Sequence, residues 1–193
     1  MSMPRLRPLR SELLLAVVAG LALLWVTGCS IHESRDGGAK KVDIQTPFGS
    51  VKVNTDVDAK ETGLPVYPGA TRVPGTDTDK DAANVNISSG MFGLKVVAMK
   101  FRSSDPPQKV LDFYRPKLKE FGGKFVECKQ QGFVTYSHQK DEHEITCDKN
   151  EGSNIELKAG TPNQQHIVAV KPRGSGSEFA LVYVQKHGRE GTL

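Results

Sequence analysis

Two short segments in the first third of the chain alternate apolar and polar residues. They cover residues 42–46 and 51–55, and Pro47-Phe48-Gly49-Ser50 lies between them. A period of two predicts β-strands, and the turn residues between them predict a hairpin. The polar positions of both strands share one face. We therefore expect the hairpin to cover another part of the molecule or to stand at a sheet edge.

A helical period follows later in the chain. Its apolar residues are spaced three and four apart, on one face of a helix: Val110, Leu111, Tyr114, Leu118 and Phe121. Asp105 is a favourable N-cap, Pro106 suits the first helical position, and Gly122-Gly123 ends the pattern. These signals predict a helix over residues 105–121. Pro116 removes a hydrogen bond in its interior, so we expect a kink or a break near this residue.

Short strand-like segments make up much of the remainder. They cover residues 83–89, 94–102, 124–129, 133–137, 144–148, 154–158, 166–171 and 178–185. Strands, one main amphipathic helix and further strands predict an α+β fold, in which a mainly antiparallel β-sheet carries the helix on one face. Gly90-Met91-Phe92-Gly93 forms a hairpin tip. We expect its apolar side chains to fold back onto the core, with insertion into a membrane or a partner as the alternative.

An apolar run near the amino terminus indicates where the protein is sent. Residues 13–26 contain no polar side chain, and Arg5, Arg7 and Arg10 precede them. A basic start followed by a short apolar core is typical of a secretory signal peptide. A spanning helix needs about 20 apolar residues, so this run is short for one. An uncleaved signal anchor is the alternative.

The run ends in Val26-Thr27-Gly28-Cys29. This segment resembles the lipobox of bacterial lipoproteins: an aliphatic residue, two small residues and a cysteine. The resemblance implies that residues 1–28 are removed and that Cys29 carries a diacylglycerol and, on its new amino group, a further chain such as palmitate. Two or three acyl chains anchor a protein stably. Ser30, where an aspartate would favour the inner membrane, implies an outer-membrane protein facing the periplasm if the host has two membranes.

The mature chain divides into a tether and one domain. Residues 29–41 are polar and contain Gly37-Gly38, which predicts a flexible tether. Residues 42–186 form the single α+β domain, which opens with the hairpin, and residues 187–193 are expected to fray.

The charge balance narrows the choice of partners. Lys and Arg number 26 and Asp and Glu 22, for a formal net charge of +4. This balance is too even for a protein whose binding is dominated by phosphate contacts, so no nucleic-acid partner is predicted. The expected partners are the membrane, through lipidated Cys29, and an envelope protein or glycan.

Two further cysteines lie in strand-like segments. In an oxidising compartment Cys128 and Cys147 favour a disulfide, which would pin neighbouring strands. A metal site that adds His138 and His143 is an alternative, although the spacing matches no standard zinc module. Two free thiols are the third possibility.

Catalytic motifs are missing from the sequence. There is neither a G-x-S-x-G elbow nor a P-loop, and Gly174-Ser175-Gly176 indicates a turn. The polar stretch 137–144 favours an exposed hairpin loop over a weak cation site. The other histidines are His32 and His187, placed near the mobile ends, and His166, expected to be half-buried. No residue is predicted to act in catalysis or to bind a cofactor or metal.

A second resemblance covers most of the mature chain. Residues 64–70 read Leu-Pro-Val-Tyr-Pro-Gly-Ala, and Phe113-Tyr114 and residues 156–160 and 165–168 follow. Together with the hairpin, these segments resemble a group of uncharacterised bacterial lipoproteins. The resemblance implies a class and no activity. We expect the Tyr67-Pro68-Gly69-Ala70 turn to dock Tyr67 into the core, with a ligand-contacting role as the alternative.

Three functions follow from these observations. The favoured one is a non-enzymatic, lipid-anchored interaction or scaffold protein of the cell envelope. The alternative is a module that binds a small molecule or glycan in a pocket between helix and sheet. An envelope enzyme is the least favoured, and we predict that the protein is not one.

Overall fold

One antiparallel sheet dominates the structure. The computed structural model describes residues 29–36, 39–73, 82–132, 144–147 and 150–188. The strands within these ranges are β1 (Ser30–Asp36), β2 (Ala39–Thr46), β3 (Gly49–Asn54), β4 (Thr71–Arg72), β5 (Ala82–Ser89), β6 (Phe92–Ser103), β7 (Lys124–Gln130), β8 (Asn154–Thr161), β9 (Gln164–Arg173) and β10 (Gly176–Gly188). A 3₁₀ turn covers Ala59–Thr62, and a helix, α1, covers Pro107–Lys119. The α+β fold with a mainly antiparallel sheet is therefore confirmed.

The strand order places the longest strands at the centre. It runs β1-β2-β3-β5-β6-β10-β9-β8-β7, and the short β4 pairs with β6. β6 and β10 have 12 and 13 residues and pair with each other. The predicted hairpin is β2 and β3, joined by Pro47 and Phe48. It does not stand at the edge, because β1 pairs with β2 on its outer side.

The helix closes one face of the sheet. Val110, Tyr114 and Leu118 of α1 are fully buried. They pack in one core cluster with Phe179 of β10 and with side chains of β6, β8 and β9. Burying apolar surface is the main favourable contribution to folding, which explains why the apolar stripe of α1 faces the sheet.

The ends of α1 differ from the prediction. The helix begins at Pro107, and Pro106 occupies the N-cap position without a side-chain cap. Asp105 instead accepts a hydrogen bond from the Tyr67 hydroxyl at 2.8 Å. α1 continues through Pro116, so the predicted break is not found, and the kink stays a prediction. Phe121 lies beyond the helix and stacks on the ring of His166.

The Tyr67 segment has a structural role, as predicted. Gly69 has a φ of +74°, and the Ala70 amide donates to the Tyr67 carbonyl, which is the geometry of a type II turn around Pro68-Gly69. Tyr67 is buried in the core, edge-on to the ring of Phe113. The turn therefore delivers an aromatic side chain to the helix–sheet interface.

Three predicted segments need correction. Within the predicted tether, residues 30–36 and 39–41 are not flexible, because Ser30–Asp36 and Ala39–Thr46 pair as strands. The tail is ordered as far as Gly188, the end of β10. Residues 144–147 are not a strand, although Ile145 is fully buried. The predicted strand 133–137 and the stretch 137–143 lie outside the described residues.

Candidate functional site

Four strands extend the sheet beyond the helix. We call β1, β2, β3 and β5 the extension sheet. Adjacent residues on a strand point to opposite faces, so the pairing register assigns each side chain to one of two faces. One face continues the helix-covered side, and the other continues the opposite side, which we call the outer face.

The helix-side face of the extension sheet is polar. One cross-strand row contains His32, Asp43, Lys52 and Asn86. The Lys52 ammonium lies 3.5 Å from the Asp43 carboxylate. The rows on either side carry Ser, Asn, Gln and Lys residues, and together they line a shallow depression of about 770 Å³. The prediction that the polar residues of the hairpin share one face is confirmed.

The outer face of the extension sheet is mainly aliphatic. One row contains Ile31, Ile44, Val51 and Ile87, and the next contains Val42, Val53 and Val85 together with Glu33 on β1. Ile31 is 69% exposed, and the other aliphatic residues are half-buried. On β6 the rows continue into Leu94 and Val96, which pack against the buried Val182 and Val184. An exposed apolar patch of this kind marks an interaction surface more often than an exposed polar face does.

The residue predicted to carry lipid begins the described structure. Cys29 is exposed and has a free thiol, and β1 starts at the next residue. Ser30 pairs with Gln45 near the end of β2. Acylation at Cys29 stays a prediction, and residues 1–28 lie outside the described part of the chain. No helix of the described residues has the length and apolar character needed to cross a bilayer.

The disulfide between Cys128 and Cys147 is present. Their Cα atoms are 5.4 Å apart. Cys128 lies on the outer face of β7, and Cys147 ends the irregular segment 144–147. The bond is therefore confirmed, but it ties an irregular segment to β7. The prediction that it pins two neighbouring strands is wrong. Within the described residues, no group of three or more His, Cys, Asp or Glu side chains is arranged to hold a metal.

The histidines divide between surface and core. His32 lies on β1 and His187 on β10, while His138 and His143 lie outside the described residues. His166 is buried rather than half-buried, and its Nδ1 is 2.9 Å from the Thr62 carbonyl oxygen. Burial lowers the pKa of the His166 imidazole, although the hydrogen bond to Thr62 acts in the opposite direction. The neutral ring therefore fills a packing position.

A charged cluster on the outer face was missed by the sequence analysis. The Glu178 carboxylate is contacted by Lys171 at 3.0 Å, Arg102 at 3.1 Å and Arg173 at 2.6 Å. Burial acts to raise the pKa of Glu178, but the hydrogen bonds from Lys171, Arg173 and Arg102 outweigh it and lower the pKa to about 2. Lys171 and Arg173 lie within seven residues of Glu178, on the other side of the β9–β10 turn, so a hairpin pattern could have found them. Arg102 lies 76 residues away on β6, and only the pairing of β6 with β10 places it opposite Glu178.

The cluster predicts an acid-sensitive stability. Because the pKa of Glu178 is lower in the folded protein than its usual 4.5, its stabilising contribution is complete above pH 4.5 and is lost as pH falls toward 2. We expect the urea midpoint to fall over this range, and the Glu178→Gln variant to lack that part of the fall. Unfolding curves at a series of pH values would measure both. If the urea midpoint fell equally steeply with pH in the wild type and in Glu178→Gln, the lowered pKa of Glu178 would be contradicted.

The helix–sheet interface is closely packed at its centre. Val110, Tyr114 and Leu118 of α1 are completely buried against the sheet, so these side chains line no open pocket of the kind that the alternative hypothesis places between helix and sheet.

Comparisons with known proteins add no relative. The chain matches no family model, no curated protein and no solved structure.

Proposed function

We propose that the protein is a lipid-anchored component of the cell envelope and that it acts as a non-enzymatic interaction module. A partner protein packs on the outer face of the extension sheet. The observation that carries this proposal is the pair of aliphatic rows, which include Ile44, Val51 and Ile87. The signal peptide pattern and the exposed Cys29 support the anchor.

The dimensions of the aliphatic rows suggest the kind of partner. The row across β1, β2, β3 and β5 spans three interstrand spacings, which is about 14 Å. The second row lies two residues along the strands, about 7 Å away. This surface matches the apolar stripe of one amphipathic helix, whose diameter is about 10–12 Å. We therefore assign the surface to a helix of an envelope protein, lying across the strands.

Site-specific photo-cross-linking in intact cells tests the partner. A photoreactive residue at Val51 would report the outer face, and one at Lys52, its neighbour on β3, would report the polar face. We expect a discrete cross-link from Val51 and none from Lys52. The same protein should be captured from Ile87, the cross-strand neighbour of Val51, and Ile44→Lys should abolish the adduct. Equal capture from both faces, or none from Val51, would overturn the proposal.

The anchor has its own test. The intact mass of protein extracted from membranes is expected to equal that of residues 29–193 with the disulfide formed, plus acyl chains. A Cys29→Ser variant should lose the acyl mass and keep residues 1–28, because in lipoproteins the cut follows alkylation of this cysteine. A wild-type mass equal to that of the uncut chain would show a signal anchor instead.

The polar depression favours a second function, glycan binding. Hydroxyl, amide and paired charged groups such as Asp43 and Lys52 suit a ligand rich in hydroxyl groups. Asn86 is exposed on the floor of the depression. Soluble cell-wall glycan fragments should then bind the native protein, and Asn86→Ala should weaken them while Val51→Thr does not. Binding that is indifferent to Asn86 would remove this candidate.

A further inference from the structure

The start of β1, two hairpin tips and the end of β10 lie at the same end of the sheet. Ser30 pairs with Gln45 just before the β2–β3 tip, and Gly49 just after this tip pairs with Ser89 just before the β5–β6 tip. The pairing of Phe92 and Gly188 then places the end of β10 beside them. We call this the anchor end, because Cys29 immediately precedes Ser30.

Large apolar side chains are exposed at the anchor end. Phe48 at the β2–β3 tip is 86% exposed, and Met91 at the β5–β6 tip is 85% exposed. Phe92 beside Met91 is 47% exposed. The expectation that Met91 and Phe92 fold back onto the core is therefore wrong. Aromatic and long aliphatic residues at the tips of adjacent hairpins are costly to leave in water, and they need an apolar environment to become favourable.

The surroundings of the tips suit the headgroup region of a bilayer. Both tips border one shallow hollow, which is lined by hydroxyl and amide side chains and by Lys52. The lining includes Ser50 and Ser88, whose hydroxyl groups are 2.9 Å apart. No carboxylate is among the lining residues, and the one charged lining residue, Lys52, is paired with the neighbouring Asp43. The hollow is therefore close to neutral and offers hydroxyl and amide groups to lipid headgroups.

We propose that Phe48 and Met91 insert into the bilayer that holds Cys29, so that the strands point away from the membrane. The inference rests on the proposed function in one respect, the acyl anchor on Cys29. Phe48 lies only three residues beyond Gln45, the partner of Ser30, so acyl chains at Cys29 bring the tip to the bilayer surface. The short path also leaves no room for a protein partner between the tips and the membrane.

The orientation has a consequence for the outer face. With the strands along the membrane normal, the outer face points sideways and the aliphatic rows run parallel to the membrane plane. They remain accessible to a partner anchored in the same membrane. Insertion of the tips and binding at the rows thus occupy different surfaces.

Tryptophan fluorescence on tethered protein tests the insertion. The chain has one tryptophan, Trp25, which precedes Cys29, so a chain of residues 29–193 contains none and still includes the whole described structure. Cys29 has the free thiol, and the other two cysteines are bonded to each other. The chain is coupled through Cys29 to a maleimide lipid in vesicles of phosphatidylethanolamine and phosphatidylglycerol. This attachment is independent of acylation in the cell.

Two matched variants carry the reporter. Phe48→Trp places it at a tip, and Val66→Trp places it at another exposed apolar residue, 37% exposed and next to Tyr67. Brominated lipid is expected to quench Phe48→Trp by about two-fold or more, with a blue-shifted emission, and to leave Val66→Trp unchanged. Met91→Trp should behave like Phe48→Trp.

The outcomes separate the two proposals. No quenching of Phe48→Trp and Met91→Trp, or equal quenching of Val66→Trp, would overturn the insertion of the tips. Quenching at the tips combined with a native mass that lacks acyl chains would uphold the insertion while overturning the anchor. If the tips are not quenched in vesicles, and a photoreactive residue at Phe48 captures a protein in intact cells, a protein occupies the tips and the insertion into the bilayer is overturned.

Discussion

Replacing Phe179 by alanine is expected to destabilise the protein by about 3–5 kcal/mol, the range for truncating a fully buried phenylalanine. Phe179 is completely buried on β10. Its ring centroid is 5.5 Å from that of Phe101 and 5.9 Å from that of Tyr114 on α1. The substitution would leave a cavity where the central strand meets the helix. Urea unfolding followed by circular dichroism would measure the loss.

The control for this prediction is Phe48→Ala. The same truncation at an 86% exposed side chain removes no core contact, so we expect a change within about 0.5 kcal/mol. A large effect at Phe48 together with a small one at Phe179 would contradict the placement of the core. Phe48→Ala should instead weaken membrane insertion, which separates the two roles of phenylalanine in this protein.

Removing the disulfide is expected to cost about 3 kcal/mol, because the bond closes a loop of roughly 20 residues in the unfolded chain. The two cysteines are 19 positions apart in sequence. The Cys128→Ala/Cys147→Ala double variant should therefore unfold at lower urea concentration. The segment 144–147 should also become sensitive to protease, since the bond holds it and its buried Ile145 against β7.

The control for the disulfide is Cys29→Ser, which removes a thiol outside the bond. Its unfolding midpoint should match that of the wild type measured without acyl chains. Protein purified from cells should be denatured without reductant and its free thiols titrated. We expect Cys128 and Cys147 to be unreactive, whether or not Cys29 carries an acyl chain. Two reactive thiols, or a double variant as stable as the wild type, would show that the bond does not form in the cell.

Local signals predicted the main elements. Alternation with a turn between the strands located the β2–β3 hairpin, and the 3.6-residue period located α1. Both patterns reflect which face of an element is buried, and they can be recognised from a few consecutive residues. The same signals predicted the Tyr67 turn, because a Pro-Gly pair specifies its own backbone geometry.

Local signals failed where another part of the chain competes for a group. Asp105 is a good N-cap by sequence, but its carboxylate accepts a hydrogen bond from the hydroxyl of Tyr67, 38 residues away, and Pro106 occupies the N-cap position. Residues 30–36 are polar enough for a tether, but β2 offers them an unpaired edge. Backbone hydrogen bonds to a neighbouring strand can order a polar segment that would be disordered alone.

The sequence by itself determined the class of fold, the main helix and the hairpin, and it predicts a lipid anchor at Cys29. It also supplied the two faces of the hairpin, since a strand alternates its side chains. Only the tertiary structure decided that β1 and β5 continue those faces into an extension sheet, and that Phe48 and Met91 share an end with Cys29. The reason is that strand order and register arise from pairings between distant segments, which no local pattern encodes.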